Sequence, residues 1–214
     1  MLDYAFENRT DAGAKLGRAL GKYKDKGVLV LAIPRGGVEV GYQVARYLNA
    51  DFSIIIARKL PYPDNPEAGF GAISEDGSTF VFEHAKTWLS EKGIEIIADE
   101  QQQEIRRRVQ VLRGGRPLPD IAGKTVILVD DGIAMGSTMR AAIANCQNAK
   151  AGRIVVAAPV SGTDVANAIG VIVDEIVILE KPAFFRAVAQ VYRDWYDVPD
   201  REVLDILEQW QRQR

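Results

Sequence analysis

The chain has 214 residues, of which 47% are hydrophobic and 26% are charged, and its formal net charge is −2. This length suits one globular domain with its own core, and this composition argues against a largely disordered chain. The near-neutral charge lacks the strong positive field of a protein that binds nucleic acid through its phosphates. A protein that binds one phosphorylated small molecule remains compatible with it, because such a site needs only a local positive region.

Cys146 is the only cysteine, so a disulfide framework is excluded and a reducing compartment is expected. We expect Cys146 to pack as a small hydrophobic residue within a helix. No stretch approaches the roughly 18 apolar residues of a membrane span, and the N-terminal residues lack the basic region and apolar run of a signal peptide. The sequence therefore predicts a cytoplasmic protein with neither a nucleic-acid nor a membrane partner.

Short aliphatic runs alternate with amphipathic segments along the chain, which predicts an α/β fold with a mostly parallel central sheet flanked by helices. Buried strands are predicted at 28–33, 52–57, 124–130, 153–159 and 175–179. Helices are predicted from Thr10 or Asp11 to about residue 24, at 38–48, 94–112, 137–148 and 164–169, and from about residue 200. Ligands of such sheets bind beyond the carboxyl ends of the strands, so the turns after residues 33, 57 and 129 are the candidate site.

Two segments between these elements have distinct patterns. Residues 58–71 contain three prolines and two glycines, which predicts a long loop. Short strands at 72–74 and 79–82 flank an Asp-Gly pair, which predicts a hairpin. The helix at 94–112 carries consecutive arginines at 106–108, preceded by acids at three- and four-residue spacing. This spacing favours a solvated helix face over a nucleic-acid patch, with a subunit contact as the better functional alternative.

The segment 126–139 has the pattern with the clearest chemical meaning. Four aliphatic residues precede Asp130 and Asp131, and a loop of small residues then leads into a helix that begins at Ser137. A helix N-terminus offers unpaired N–H groups and the positive end of the helix dipole. Gly136 lets the backbone approach an anion, and the hydroxyls of Ser137 and Thr138 add donors. The loop therefore predicts a phosphate site, beside two acids that can accept hydrogen bonds from a sugar diol.

Two other interpretations of this segment are an ordinary capped helix after a buried strand, and the acidic strand of a nucleoside triphosphatase. The second requires a G-x-x-x-x-G-K-[ST] loop, which the sequence lacks.

The segment resembles the signature of type I phosphoribosyltransferases, which bind 5-phosphoribosyl-1-pyrophosphate (PRPP). The resemblance implies that Asp130 and Asp131 bind the ribose hydroxyls. It also implies that five residues cradle the 5-phosphate: Ala134, Met135, Gly136, Ser137 and Thr138. Met135 departs from the family pattern, which usually has a threonine there, so one hydroxyl is lost. The sequence is most similar to a subgroup with L-P-R-G-G and D-D-G-I-A-T-G motifs.

A second part of the resemblance lies after the first two predicted strands. Arg35, Gly36 and Gly37 resemble the family's pyrophosphate loop, which often holds a cis peptide bond, expected here between Arg35 and Gly36. Arg58 and Lys59 end the second strand, where the family places a basic residue near the leaving pyrophosphate and opens a mobile catalytic loop. Without the resemblance, the first group is a tight turn and the second is a solvated pair of charges.

Three acids in and after the predicted loop, Glu67, Glu75 and Asp76, have two open roles: contact with Mg²⁺ or substrate, or solvation. The resemblance implies a single domain over residues 1–214, with a core at about 28–180. A small hood, the region that closes over the acceptor in this family, is assigned to residues 181–214, to residues 1–27, or to both. Phe184, Phe185, Trp195 and Tyr196 are expected to pack the tail onto the core.

The implied function is transfer of the phosphoribosyl group from PRPP to a nitrogenous acceptor, such as a nucleobase, with release of pyrophosphate. The implied cofactor is Mg²⁺, held through water by Asp130 and Asp131, and the implied assembly is a homodimer. Arg35, Lys59, Asp130 and Asp131 are the expected catalytic residues. Two alternatives remain: a non-catalytic regulatory protein that binds PRPP, and a phosphatase or phosphorylase that acts on a ribose phosphate at the same site.

Overall fold

The computed structural model describes residues 4–213. The strands are β1 (Leu29–Ala32), β2 (Asp51–Ile54), β3 (Ala57–Tyr62), β4 (Asn65–Ser74), β5 (Thr79–Val81), β6 (Thr125–Val129), β7 (Arg153–Val160) and β8 (Glu175–Glu180). The α-helices are α1 (Arg9–Ala19), α2 (Gly36–Leu48), α3 (Glu91–Arg113), α4 (Ser137–Asn148), α5 (Thr163–Gly170) and α6 (Asp200–Arg212). No helix within this range has the length and apolar composition needed to cross a membrane.

The central sheet has five strands in the order β2-β1-β6-β7-β8, and every neighbouring pair is parallel. This confirms the predicted α/β fold with a parallel central sheet flanked by helices. β1 and β6 are neighbours, and their last residues, Ala32 and Val129, are register partners. The loops that follow these two strands therefore start side by side at the carboxyl edge of the sheet.

The core consists of two apolar layers on the two faces of this sheet. Along β6, Ile127 and Val129 join the layer under α1 and α2, and Val126 and Leu128 join the layer under α4. Both faces are covered, so the strand is apolar at successive positions, as is typical of parallel sheets. Cys146 of α4 is fully buried in the second layer, which confirms that it packs as a small hydrophobic residue.

The prediction of a loop at residues 58–71 is wrong, because this segment forms most of an antiparallel hairpin. β3 and β4 pair with each other, and β5 adds to β4 to complete a separate three-stranded sheet. Pro61 lies at an irregularity in the pairing on the edge strand β3, and Pro63 lies in the turn. Both positions tolerate the missing N–H donor of proline, so prolines here do not prevent strand formation. The predicted hairpin between β4 and β5 is confirmed.

Several predicted boundaries also differ from the structure. The second central strand ends at Ile54, and Ala57 already belongs to the other sheet. α1 begins at Arg9, because the side chain of Asn8 caps it by accepting from the backbone N–H of Asp11. The predicted caps Thr10 and Asp11 therefore lie inside the helix. α1 stops at Ala19, and a short 3-10 helix, Gly21–Tyr23, replaces the predicted last turn.

The C-terminal tail crosses the carboxyl edge of the central sheet before α6. Tyr192 forms an isolated parallel bridge with Phe6, and the side chain of Val188 packs against Gly132, just after the acid pair. Phe184 is 88% exposed, so the expectation that it packs onto the core is wrong. Phe185 packs as expected against the buried cluster that contains Val191 and Tyr192, and the ring centroid of Trp195 lies 5.2 Å from that of Tyr192. Tyr196 is 45% exposed.

Candidate functional site

The Arg-Gly-Gly loop and the acid pair form one packed unit at the carboxyl edge of the sheet. A Cβ atom on Gly36 would overlap the carboxylate of Asp131, and one on Gly37 would lie 2.9 Å from Cα of Asp130. These close approaches require glycine at both positions. The structure therefore brings together the two motifs that the sequence separates by more than 90 residues.

The loop after β1 contains a cis peptide bond between Pro34 and Arg35. The family resemblance implied a cis bond one residue later, between Arg35 and Gly36. That position is wrong because Arg35 already has helical backbone angles, φ −99° and ψ −48°, and Gly36 begins α2. Gly36 and Gly37 thus belong to the first turn of a helix.

The loop after β6 ends at the N-terminus of α4. Gly136 has the left-handed backbone angles φ 77° and ψ 5°, and no side chain caps the helix. The first N–H groups of α4 are therefore free of a side-chain cap, and such groups bind anions well. Met135 is 61% exposed, so its side chain does not fill the space over the loop.

A cavity of about 230 Å³ lies over this loop. It is lined by all five residues of the predicted phosphate cradle, by Asp130 and Lys59, and by Glu67, Gly69, Gly132, Ile133 and Met139. Two larger cavities of about 280 and 470 Å³ border Arg113 instead and share no lining residue with it. The smaller cavity is the candidate site, because it alone among these three joins an acid of the pair, Asp130, to a helix N-terminus. Asp131 lies behind Asp130 against Arg9 and does not line the cavity.

The two acids differ in their surroundings. Asp131 accepts a hydrogen bond at its Oδ2 from Nε of Arg9, at 2.8 Å, and its side chain is 14% exposed. Oδ1 of Asp130 accepts from the backbone N–H of Asp131, at 2.9 Å. Burial raises the pKa of Asp130 well above its usual value, and the neighbouring carboxylate adds to this. Burial also raises the pKa of Asp131, but the guanidinium of Arg9 opposes the shift.

Arg9 is a site residue that the sequence analysis missed. Its Nη1 donates to the carbonyl of Tyr196 at 3.0 Å, and its guanidinium lies 3.9 Å from the ring centroid of Trp195. The hydroxyl of Tyr192 donates to the carbonyl of Asp131 at 2.7 Å. No signal in the sequence marks Arg9, because it lies 122 positions from Asp131 and in the first turn of an otherwise ordinary helix.

The three predicted basic residues are not all at the cavity. Lys59 lines it, and the ammonium of Lys59 donates to the carbonyl of Glu67 at 2.6 Å. Nη1 of Arg35 lies 3.9 Å from Oδ1 of Asp200, at the start of α6. Nε of Arg58 donates to Oε1 of Gln101 in α3, at 2.8 Å. The structure thus places Lys59 at the cavity and turns Arg35 and Arg58 towards neighbouring helices.

Glu104 forms ion pairs with two arginines of α3 and one arginine of β3. Its carboxylate accepts from Arg107 at 2.7 and 2.8 Å and from Nε of Arg108 at 3.2 Å, and Nη1 of Arg58 lies 3.7 Å away. The hydrogen bonds from Arg107, with those from Arg108 and the nearby charge of Arg58, lower the pKa of Glu104 to about 2. The arginine-rich face predicted as solvated therefore includes an ion-pair network that reaches β3.

Glu67, Glu75 and Asp76, whose roles the sequence left open, have different surroundings in the structure. Glu67 lines the cavity. Glu75 forms an ion pair with the buried Arg113 and accepts a hydrogen bond from the backbone N–H of Ile56, so it is occupied elsewhere. Asp76 accepts from Ser78 in the hairpin turn. Of the three, only Glu67 is in a position to face a ligand in the cavity.

A metal at this site would depend on the acid pair. Within residues 4–213, no group of three or more histidine, cysteine, aspartate or glutamate side chains is arranged to hold a metal ion. Mg²⁺ does not need such a cage, because it keeps several waters and binds through one or two carboxylates and substrate phosphates. Asp130 and Asp131 fit this requirement.

Comparison with known proteins decides the family. The family model described as "Phosphoribosyl transferase domain" matches residues 9–192. The chain belongs to this family. It is 37% identical over 212 residues to two proteins of Mycobacterium tuberculosis, from strains CDC 1551 and H37Rv, each named "Putative phosphoribosyl transferase". The alignment covers 97% of this chain and 47% of each relative, so the chain spans about half their length.

A crystal structure shares the overall fold of this chain. TT1426 from Thermus thermophilus is 35% identical and superposes with a TM-score of 0.81, covering 96% of this chain and 98% of that chain. The family match over residues 9–192 and the parallel sheet flanked by helices together confirm the type I phosphoribosyltransferase fold expected from the motifs.

Proposed function

We propose that the protein transfers the 5-phosphoribosyl group of PRPP to a nitrogenous acceptor, a nucleobase or a similar small molecule, and releases pyrophosphate. One observation carries the proposal: the acid pair, the uncapped helix N-terminus after Gly136 and the Arg-Gly-Gly loop meet at the ends of the neighbouring strands β1 and β6. A phosphorylated sugar needs these three groups together, and membership of the family supports the same reaction.

The 5-phosphate binds over the start of α4. The backbone from Ala134 to Gly136 and the hydroxyls of Ser137 and Thr138 supply donors, and the helix dipole favours the negative charge. Met135 removes the hydroxyl that relatives usually have, but its exposed side chain leaves the backbone donors accessible. The loop therefore retains enough donors for a phosphate.

Asp130 and Asp131 accept hydrogen bonds from the ribose 2- and 3-hydroxyls and hold Mg²⁺ through water. The ion, when bound, neutralises negative charge on the pyrophosphate oxygens. The remaining work of the two acids is to fix the ribose so that C1 faces the acceptor. Positioning of this kind accounts for a large part of the rate in transfer reactions of two bound reactants.

The leaving pyrophosphate lies between Lys59 and the Arg-Gly-Gly loop. As the bond to C1 breaks, positive charge grows on the ribose and negative charge grows on the pyrophosphate, and nearby cations stabilise the second. Lys59 already lines the cavity. Arg35 and Arg58 would exchange their present partners, Asp200 and Gln101, for pyrophosphate oxygens. Gly36 and Gly37 have no side chains, so the ligand can approach their backbone closely.

We assign the hood to both terminal segments, residues 4–27 and 181–213. The contacts of Arg9 with Trp195 and Tyr196, and the bridge between Phe6 and Tyr192, join these segments over the acid pair. The hairpin of β3 and β4 carries Lys59 and Glu67 and takes the place of the expected catalytic loop. The proposal also includes a cytoplasmic location, which the sequence predicts, and a homodimer, which the family resemblance implies.

The test is calorimetric titration of PRPP in the presence of Mg²⁺, with wild type, with Asp130→Asn/Asp131→Asn and with Asp205→Asn on the exposed face of α6 as the matched control. Binding to wild type and to the control, lost in the double variant, is expected. EDTA should weaken binding in the wild type. Absence of binding in the wild type would contradict the proposal.

Product analysis separates the alternatives. When candidate acceptors are added with PRPP, a correct acceptor should cause the protein to release pyrophosphate. Release of inorganic phosphate would indicate a phosphatase or phosphorylase, and tight binding without turnover across nucleobase acceptors would indicate a regulatory protein.

A further inference from the structure

The side chain of Arg9 lies where four segments meet. Arg9 is 3% exposed. Its guanidinium contacts Asp131 after β6, the carbonyl of Tyr196 and the ring of Trp195 in the tail, at 2.8, 3.0 and 3.9 Å. A Cβ on Gly36 would come within 2.9 Å of Nε of Arg9, so the loop after β1 closes the fourth side.

Attaching the tail to the core through a buried guanidinium carries a desolvation cost. Removing a charge from water costs several kcal/mol, and a well-packed apolar residue often serves stability as well or better. The tail has other attachments in any case. The backbone N–H groups of Phe6 and Arg193 pair with the carbonyls of Val191 and Phe6, at 3.0 and 2.9 Å, and Tyr192 bonds to the carbonyl of Asp131. Stability alone therefore gives little reason for an arginine here.

The contact with Asp131 suggests a reason in the ligand site. The hydrogen bond from Nε of Arg9 to Oδ2 fixes the orientation of the Asp131 carboxylate, directly beside Asp130 of the cavity. No lysine or arginine within the described part of the chain forms an ion pair with Asp130, so the two neighbouring acids have different roles in the site. The same guanidinium contacts Trp195 and the carbonyl of Tyr196, so one side chain links the carboxylate of Asp131 to this part of the tail.

We infer that Arg9 is a positioning residue of the ribose site, which orients the carboxylate of Asp131 and holds residues 195–196 of the tail beside it. The inference rests on the proposed function for the identity of the ligand. The contacts of Arg9 with the tail do not depend on the identity of the ligand, so a measurement without ligand tests them.

Arg9→Ala is the informative variant, because it should leave a space bordered by Asp131 and Trp195 that fits a free guanidinium ion. The attachments through Phe6 and Tyr192 remain, so the variant is expected to fold. The first measurement is made without ligand. The emission of Trp195, isolated by subtracting the spectrum of the same protein carrying Trp195→Phe, should change in Arg9→Ala and return towards wild type as guanidinium chloride is added at millimolar concentration. Potassium chloride and urea should have no such effect.

The second measurement is the Kd for PRPP with Mg²⁺, with ribose 5-phosphate as a second probe. Arg9→Ala should weaken binding of both by at least about tenfold, and guanidinium should restore most of the loss. Arg9→Lys should restore less, because an ammonium cannot bond to Asp131 and Tyr196 while stacking on Trp195. Arg18→Ala, on the exposed side of the same helix, is the control and should behave as wild type.

Each outcome decides a separate point. Trp195 emission that is unchanged in Arg9→Ala, or that does not respond to guanidinium, would overturn the contact with the tail. Wild-type affinity in Arg9→Ala, or lost affinity that guanidinium does not restore while the emission recovers, would overturn the role in orienting Asp131. Wild type that binds neither probe would contradict the proposed function, and the emission measurement would still decide the tail contact.

Discussion

Gly36 packs so closely against Asp131 that a single added carbon on Gly36 would overlap the carboxylate. The contact joins the start of α2 to the loop after β6, and the overlapping group is one of the two acids assigned to the ribose. The backbone of one motif thus restricts the side chain of the other.

Gly36→Ala is therefore expected to displace Asp131 and weaken binding of PRPP by at least about tenfold, equal to about 1.4 kcal/mol. Titration calorimetry with Mg²⁺ measures this. Gly21→Ala is the matched control, because a Cβ on Gly21 would meet nothing within 4 Å. Equal affinities in the two variants would show that the contact between Gly36 and Asp131 has no role in binding.

Lys59 is the one predicted basic residue that lines the cavity, and its ammonium is assigned to the pyrophosphate. Lys59→Gln should weaken binding of PRPP by about tenfold to a hundredfold. Binding of ribose 5-phosphate should stay within about twofold of wild type, because this ligand lacks the pyrophosphate. Lys92→Gln, at the exposed start of α3, is the control. An equal loss for both ligands would place Lys59 at the 5-phosphate or indicate a general distortion.

Glu104 should stabilise the fold in a manner that depends on pH. Its pKa is lowered from 4.5 to about 2, so its ionised form is favoured in the folded protein. The contribution is therefore fully present above about pH 4.5 and is lost as the pH falls towards 2. Because its side chain is 28% exposed and its main partner, Arg107, is more exposed, we expect about 1 kcal/mol at neutral pH.

The measurement is the free energy of unfolding of wild type and Glu104→Gln in urea, at several pH values from 7 to 2. The difference between the two proteins should be constant above about pH 5 and shrink below it. A difference that persists unchanged to the lowest pH would mean that packing, not charge, accounts for the effect. Glu100→Gln, at an exposed position in the middle of α3, is the matched control.

Cys146 should be unreactive in the folded protein. It is fully buried in α4, and burial raises the pKa of its thiol to about 12. The thiolate, which is the reactive form, is therefore scarce at neutral pH. A thiol reagent at pH 8 should modify no cysteine in the native protein and one after unfolding in urea, since the chain has a single cysteine. Rapid modification without urea would show that α4 opens locally.

The site could be predicted in part from the sequence. The pattern at residues 126–139 could be interpreted because the strand, the two acids, the glycine and the helix start follow one another closely, and each has a local physical signature. The pairing of this segment with the Arg-Gly-Gly loop followed from the rule that ligands bind at the carboxyl ends of parallel strands. The hairpin at 58–71 was missed, because prolines in an edge strand and in a turn look the same in sequence as prolines in a loop.

Local sequence was enough to predict the alternation of strands and helices and the loop that we propose binds a phosphate, because backbone periodicity and helix-start chemistry involve only near neighbours. The partners of long side chains were settled by tertiary packing alone. Arg9 meets Asp131 across 122 positions, and Arg58 turns to Gln101 across 43, because the folding of separate segments brings these groups together. Such pairings depend on distances and burial in three dimensions, for which no short sequence pattern exists.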